Sequence, residues 1–498
     1  MNQIGFKNFR KFENFPVMDF SPITIFVGEN NAGKSTVVKA ILSTLDFLNS
    51  QYFQIEKDEN DKAVLNHRFY FNKSFFAHIG TFSRALYNKS IDDIITFVVT
   101  ESNIKFEIEI KGNKNDEESI SGNIQKIKMN ILKWNIDLNF DFINDDIHAV
   151  FHKETNALYR EDRNNDYIRI RFGEKKESLT DYFASVPDNA ELHVPITGRT
   201  GMIGGSLIGW LLDRFTYRID ELITDKPKDS SVNKTKIREI SSEMKCFLEK
   251  NKKLLGKYGA LDFIYPFYSS NIEYIYAHAV TQTVIYSAKD TNDYLVKTIH
   301  EFANCRITEG SKIHRFITKW MKTFNIGTNY EISSVGGEAH IVKIIEKDGC
   351  SVNLADKGMG SIQLMVLLFR LATRMADRVR PTIGRASTII IEEPEQNLHP
   401  MLQSKLAVLF YEMNRKYGYR FIIETHSEYL IRKTQVIVKQ DYNDVKNALK
   451  DNPFKVYYFN TNSKKPYYEI KYQKDGNFAN DFGKGFFDEA SNLAFEIL

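Results

Sequence analysis

The chain has few cysteines. Its three, Cys246, Cys305 and Cys350, lie far apart and form no C-x-x-C pair. That excludes a disulfide framework, offers no zinc pattern, and fits a reducing cytoplasm, which is the expected compartment. Net charge is nearly absent: 67 basic against 64 acidic side chains leave +3. No global field therefore argues for nucleic acid; only a local patch would. Met1-Asn2-Gln3-Ile4 opens no secretory hydrophobic region, and no apolar run approaches a membrane span, so no membrane partner is expected. Internal repeats and low-complexity linkers are missing too. What remains is 498 residues, 42% hydrophobic and 26% charged. This is a globular composition on a chain long enough for two or three domain-sized units.

Against those absences stands Gly28-Glu29-Asn30-Asn31-Ala32-Gly33-Lys34-Ser35-Thr36, which fits G-x-x-x-x-G-K-[ST]. Before it, Ile23-Thr24-Ile25-Phe26-Val27 reads as a buried strand. After it, Val37, Val38, Ile41, Leu42 and Leu45 fall on one helix face. Strand, Gly-rich loop and helix make a phosphate cradle of Asn30, Asn31, Ala32, Gly33, Lys34, Ser35 and Thr36. Backbone N–H groups and the helix N-terminus surround phosphate oxygens, Lys34 reaches the outer phosphates, and the Ser35 hydroxyl is placed to ligate Mg²⁺. ATP and Mg²⁺ are the expected cofactors.

Four further segments bear on this cradle. Thr388-Ile389-Ile390-Ile391-Glu392-Glu393 is an apolar strand ending in two carboxylates. Glu392 is expected at the Mg²⁺, directly or through water, and Glu393 is expected to orient or polarise the attacking water. Arg420 to Ser427 is a second apolar strand with a polar end, where a His426 ring nitrogen can reach the γ-phosphate. Gly358, Gly360 and Ser361 precede an apolar helix (Leu364 to Ala372) and make a second anion site. Having one phosphate loop already, the chain can use that site to cover the γ-phosphate of ATP bound to another copy. Arg10, in Asn8-Phe9-Arg10-Lys11-Phe12, either stacks on adenine or is a surface residue.

The organisation follows. Residues 1–197 are expected to hold the N-terminal part of the head with a β subdomain. Thr96–Thr100, Ile104–Ile110 and the alternating Asn123–Phe142 around Trp134 carry that subdomain. Residues 198–271 read as a Lys-rich helical insertion with acids mixed in, hence a solvated face. Residues 272–498 supply the C-terminal part, with a second nucleotide-fold half starting near 340, and a short extension.

Phosphate loop, Gly-rich signature, Glu-Glu strand, Pro394-Glu395-Gln396-Asn397-Leu398-His399-Pro400 and Glu424-Thr425-His426-Ser427 occur in this order in ABC-type ATPase heads of the RecF/SMC/OLD class, which the chain resembles. Within that class it is similar to the OLD-like ATPases of bacterial anti-phage defence. The PARIS type comes first and the Septu type second. Tyr274 to Tyr294, and Asp475-Gly476-Asn477 with Gly485 to Glu489, also resemble stand-alone members of this branch. The resemblance implies an α/β, ABC-type P-loop ATPase head with an antiparallel β subdomain. It implies hydrolysis of ATP, head-to-head pairing of two copies around the nucleotide, and a higher homo-oligomer. Two departures stand: no Q-loop glutamine is found near His78-Ile79-Gly80-Thr81-Phe82, and the transporter spelling Ser-Gly-Gly-Gln is missing. Residues 427–498 are too few for the TOPRIM nuclease domain of OLD nucleases. The expected partner is therefore a separately encoded effector, a TOPRIM-type nuclease, with a phage trigger protein or DNA as a further partner. The expected role is a sensor and scaffold in defence; the alternative is a DNA-repair or DNA-tethering ATPase of the RecF/SMC class.

Overall fold

A computed structural model divides the chain into two units. One contains Met1–Phe20 and Ser35–Ser270, the other Ser21–Lys34 and Asn271–Leu498. The structure describes residues 2–49, 55–57, 63–65, 67–72, 77, 79–101, 104–131, 136–151, 190–194, 272–275, 283–287, 289–290, 293–379, 388–443, 452–461, 465–483 and 485–497. The expected helical insertion at 198–271, Trp134, Cys246 and His78 lie outside the described residues.

The first unit is built on a nine-stranded antiparallel sheet. Its order is Ala190–Val194, Asp146–Phe151, Ile136–Asp141, Ser121–Ile131, Ile104–Lys111, Ile94–Glu101, Gln3–Phe9 and Phe12–Asp19, with Arg68–Tyr70 beside Ser121–Ile131. The alternation seen in the sequence is the cause. In Ile104–Lys111, Phe106, Ile108 and Ile110 are buried while Lys105 and Lys111 are exposed, as one buried sheet face requires. The stretch around Trp134 is two strands, Ser121–Ile131 and Ile136–Asp141, paired in register from Ile131↔Ile136 to Lys126↔Asp141. Phenylalanines fill the core: Phe6 stacks on Phe15 at 4.5 Å, and Phe9 meets Phe97 edge-on at 5.1 Å.

The second unit holds a six-stranded sheet in the order Ile272–Ile275, Thr388–Glu392, Arg420–Glu424, Ile23–Gly28, Phe454–Phe459 and Tyr467–Ile470. The first five run parallel and the last is antiparallel. Every residue of Ile23–Gly28 is buried, which is why this strand reads as a continuous apolar run. The helix Pro400–Tyr417 begins with Pro at its first position, capped by His399, and stops at Gly418 in the left-handed region (φ 64°). Asp293 and Ser311 cap the helices Tyr294–Asn304 and Lys312–Thr323.

Two features of this unit differ from the sequence reading. Residues near 340 do not begin the nucleotide-binding half. Asn329–Val335, Ala339–Ile345 and Ser351–Asn353 form a separate antiparallel sheet with Tyr286–Ser287, and the parallel sheet resumes at Thr388. The hairpin signal was Gly336-Gly337, both at positive φ. The helix Met359–Val379 also contains 18 residues long and apolar enough to cross a membrane, where the sequence reading found none. Two thirds of that window is buried inside the protein (67%). Leu364, Met365, Leu368 and Phe369 belong to the core.

Candidate functional site

Three parallel strands of the second unit deliver the expected chemistry at their C-terminal ends, where open α/β sheets place ligands. Ile23–Gly28 runs into the Gly-rich loop. Gly28 sits at φ 127°, and a Cβ there would overlap the carbonyl oxygen of Phe459 on the neighbouring strand, so only glycine fits. Glu29 N donates to the same carbonyl at 3.1 Å, and Ala32 N donates to Glu29 O at 3.3 Å. Asn31 and Gly33 also have positive φ (58° and 108°). Ala32 and Lys34 are buried, whereas Glu29, Asn30 and Asn31 are exposed. The Lys34 ammonium donates to Gly28 O at 3.1 Å and Glu29 O at 2.9 Å. It is folded into the loop it is expected to serve. Lys34 opens the helix Lys34–Asn49, which carries Ser35 and Thr36 in its first turn; Ser35 is exposed and Thr36 buried.

Thr388–Glu392 lies parallel to Arg420–Glu424 with Glu392 opposite Glu424. The chain then turns sharply. Glu393 has φ 44°, a conformation that bulky residues seldom adopt. It is held by two bonds: Glu393 N donates to Glu424 O at 2.7 Å, and its carboxylate accepts from the Gln396 amide. Such strain gathers where function fixes the backbone.

Thr425 N donates to Phe26 O at 3.0 Å, tying the end of the histidine strand to the phosphate-loop strand. His426 follows as an exposed residue. Partial burial and the Lys34 charge push the imidazole below its usual range, against an opposing pull from Glu393. The neutral imidazole has one N–H to donate, and these influences favour that form. Ser427 starts the next helix: its hydroxyl accepts from Leu430 N at 3.1 Å and donates to Gln403 Oε1 at 2.6 Å.

The signature residues start the helix Met359–Val379. Gly358 faces open space, and Ser361 N donates to Gly358 O at 2.8 Å. A Cβ on Gly360 would press on Asn397 O, so this glycine lets the helix start approach the Pro394–Pro400 turn. Arg10 lies in the other unit, in the Phe9–Phe12 turn at φ 53°, with its N–H on Ala85 O at 2.6 Å. Burial and then Arg84 lower its proton affinity.

Glu395 lies in the Pro394–Pro400 motif without a role that its sequence context assigns. Glu395 is buried, and its Oε1 accepts from His426 N at 2.6 Å. Thr461 has no assigned role either: both its N and its hydroxyl donate to Glu29 Oε2. No spacing in the sequence announces either pairing. Among the described residues no three His, Cys, Asp or Glu gather as a metal cluster. A hydroxyl and a carboxylate, the donors expected from Ser35 and Glu392, are hard oxygen ligands of the kind Mg²⁺ takes together with phosphate oxygens.

Residues 1–431 match the family described as AAA ATPase domain. The chain belongs to the AAA ATPase domain family. Its fold is accordingly that of an α/β P-loop ATPase head with an antiparallel sheet in addition. No curated protein matches this AAA ATPase chain. Among solved structures it is similar to a SmcHead bound to the C-winged helix domain of ScpA, at 10% identity over 94% of this chain and 96% of that one, with a TM-score of 0.38. A Smc head domain with an extended coiled coil, bound to the C-terminal domain of ScpA derived from Pyrococcus furiosus, is 11% identical over 100% and 98%, at 0.34. The SMC head domain from Thermotoga maritima is 9% identical over 95% and 98%, at 0.30. At these scores the likenesses carry no argument about function.

Proposed function

We infer that this chain binds Mg-ATP and hydrolyses it. One observation carries the reading: backbone bonds from Thr425 N to Phe26 O and from Glu393 N to Glu424 O hold the ends of three adjacent parallel strands together, those leading into the Gly-rich loop, Glu393 and His426. In this reading Asn30 to Thr36 cradle the phosphates, and Lys34 neutralises the outer ones. His426 donates to the γ-phosphate, and Glu393 orients the attacking water. Ser35 and Glu392 would hold Mg²⁺, which supplies charge neutralisation on the phosphate oxygens. Steady-state ATPase assays test it. Lys34→Ala should cut turnover by roughly 10²–10³-fold, and Glu393→Gln should keep nucleotide binding while losing turnover. Normal turnover in either variant would remove the assigned roles.

The same reading extends to partners. Two copies sandwich the nucleotide, with Gly358, Gly360 and Ser361 of one facing the γ-phosphate held by the other. ATP then controls a separately encoded nuclease effector of TOPRIM type in an anti-phage complex, as in the PARIS ATPase AriA or, second, the Septu ATPase PtuA. The motif order and the resemblance in sequence support this step. Effector release from the wild type but not from Glu393→Gln is the expected result; equal release would count against it. Salt-sensitive binding of duplex DNA with stimulated turnover would instead support a DNA-tethering ATPase.

A further inference from the structure

We propose that Glu395 is a positioning residue: it fastens the backbone of His426 to the turn that carries Glu393, so the two groups keep one spacing around the nucleotide's end. The proposal rests on the ATPase reading above. The geometry is direct. Glu395 lies two residues beyond Glu393, in a turn closed by Gln396 N on Glu393 O and Leu398 N on Glu395 O, both at 3.1 Å. From that turn its Oε1 crosses to the neighbouring strand end and accepts from His426 N at 2.6 Å. A backbone bond, Glu393 N on Glu424 O, already joins the two strand ends, and Thr425 N on Phe26 O ties the second to the phosphate-loop strand. The Glu395 carboxyl is the side-chain link from the carboxylate turn to the histidine itself.

The link is unfavourable as mere packing. Glu395 is 9% exposed, and its Oε2 is buried without a hydrogen-bond partner. Burial raises its proton affinity, the bond from His426 N opposes that, and the Glu393 charge adds to the rise. A buried acid beside a second acid costs stability. An apolar side chain of the same length would fill the space more cheaply. Where a residue breaks a local rule in this way, function is the usual compensation.

Three variants of the full chain test the proposal. Glu395→Met keeps the volume and removes the acceptor. Glu395→Ala removes both. Glu395→Gln keeps an amide oxygen that can accept the same N–H. The expected result is a kcat about 10²-fold lower for Met and Ala, with KM for ATP little changed because Lys34 and its loop are untouched. Gln should restore most of the rate. Thermal unfolding should show Met at least as stable as the wild type, which separates positioning from packing. Wild-type kcat in Met, or a Gln variant as slow as Met, would overturn the proposal; should Met and Ala both fail to fold, a slow but folded Gln overturns it and a fast one upholds it. Should the wild type itself hydrolyse no ATP, the ATPase reading falls first and takes this proposal with it.

Discussion

The two large sheets of this protein bury their strands in opposite ways. In the antiparallel sheet one face is apolar, and Phe106, Ile108 and Ile110 alternate with polar neighbours. In the parallel sheet Ile23–Gly28 is buried throughout, and Arg420–Glu424 shows only its first residue in part. Antiparallel neighbours close through short turns, so their ends point both ways. Parallel strands all finish on one side and bring distant residues together there. That is why Gly28, Glu392 and Glu424, from three separated segments, end adjacent strands.

The comparison predicts where the molecule is fragile. The largest effect should come from Gly28→Val. It sets a branched side chain against Phe459 O at φ 127°, for a loss of about 4 kcal/mol or more. Chemical denaturation would measure it, and nucleotide binding should be lost with it. Next, Ile423→Ala, at a fully buried position of the histidine strand, should cost about 3 kcal/mol. In the antiparallel sheet, Lys128→Ala breaks an ion pair with Glu107 at 2.7 Å on a solvated face. It should cost under about 1 kcal/mol and leave ATP turnover unchanged. A Lys128 variant that lost turnover would erase the contrast between the sheets.

The finest test is pH. His426 and His340 both bind their protons more weakly when folded. For His426 the causes are burial and Lys34, opposed by Glu393; for His340 they are burial and the neighbouring His300. As pH falls below about 6.5 the unfolded chain takes up these protons first. Their stabilisation is therefore complete above that pH and is lost on the way down to the folded values. Glu395 runs the other way: its folded affinity is raised, so its contribution is complete at acid pH and lost as pH rises. Thermal scans between pH 7.5 and 5.5 should show the wild type weakening. A His426→Gln, His340→Gln double variant should weaken less.

Much of this was legible in the sequence because it is local. A run of apolar residues, a glycine spacing and a pair of carboxylates announce the strands and the loop between Ile23 and Thr36 and at Thr388–Glu393. The strands at 329–353 were less legible. They are half-exposed rather than continuously apolar, and the Gly336-Gly337 turn is their main signal. Least legible were the contacts that join motifs. The bond from His426 N to Glu395, the Gly360 approach to Asn397 and the Glu29–Thr461 pair link residues through the fold alone. The positive φ of Glu393 is set by its bonds to Glu424 and Gln396, which no propensity reveals.

Residues 23–28 sit in the sheet between Arg420–Glu424 and Phe454–Phe459, and the Glu29–Thr461 bond spans 432 positions. During synthesis the phosphate loop emerges well before either flanking strand and lacks both until residues 420–459 have followed it out of the ribosome. A product that stops before residue 420 would therefore carry the nucleotide signature yet have no finished pocket. Translation itself thus acts as a timer, withholding competence until the last parallel strand arrives.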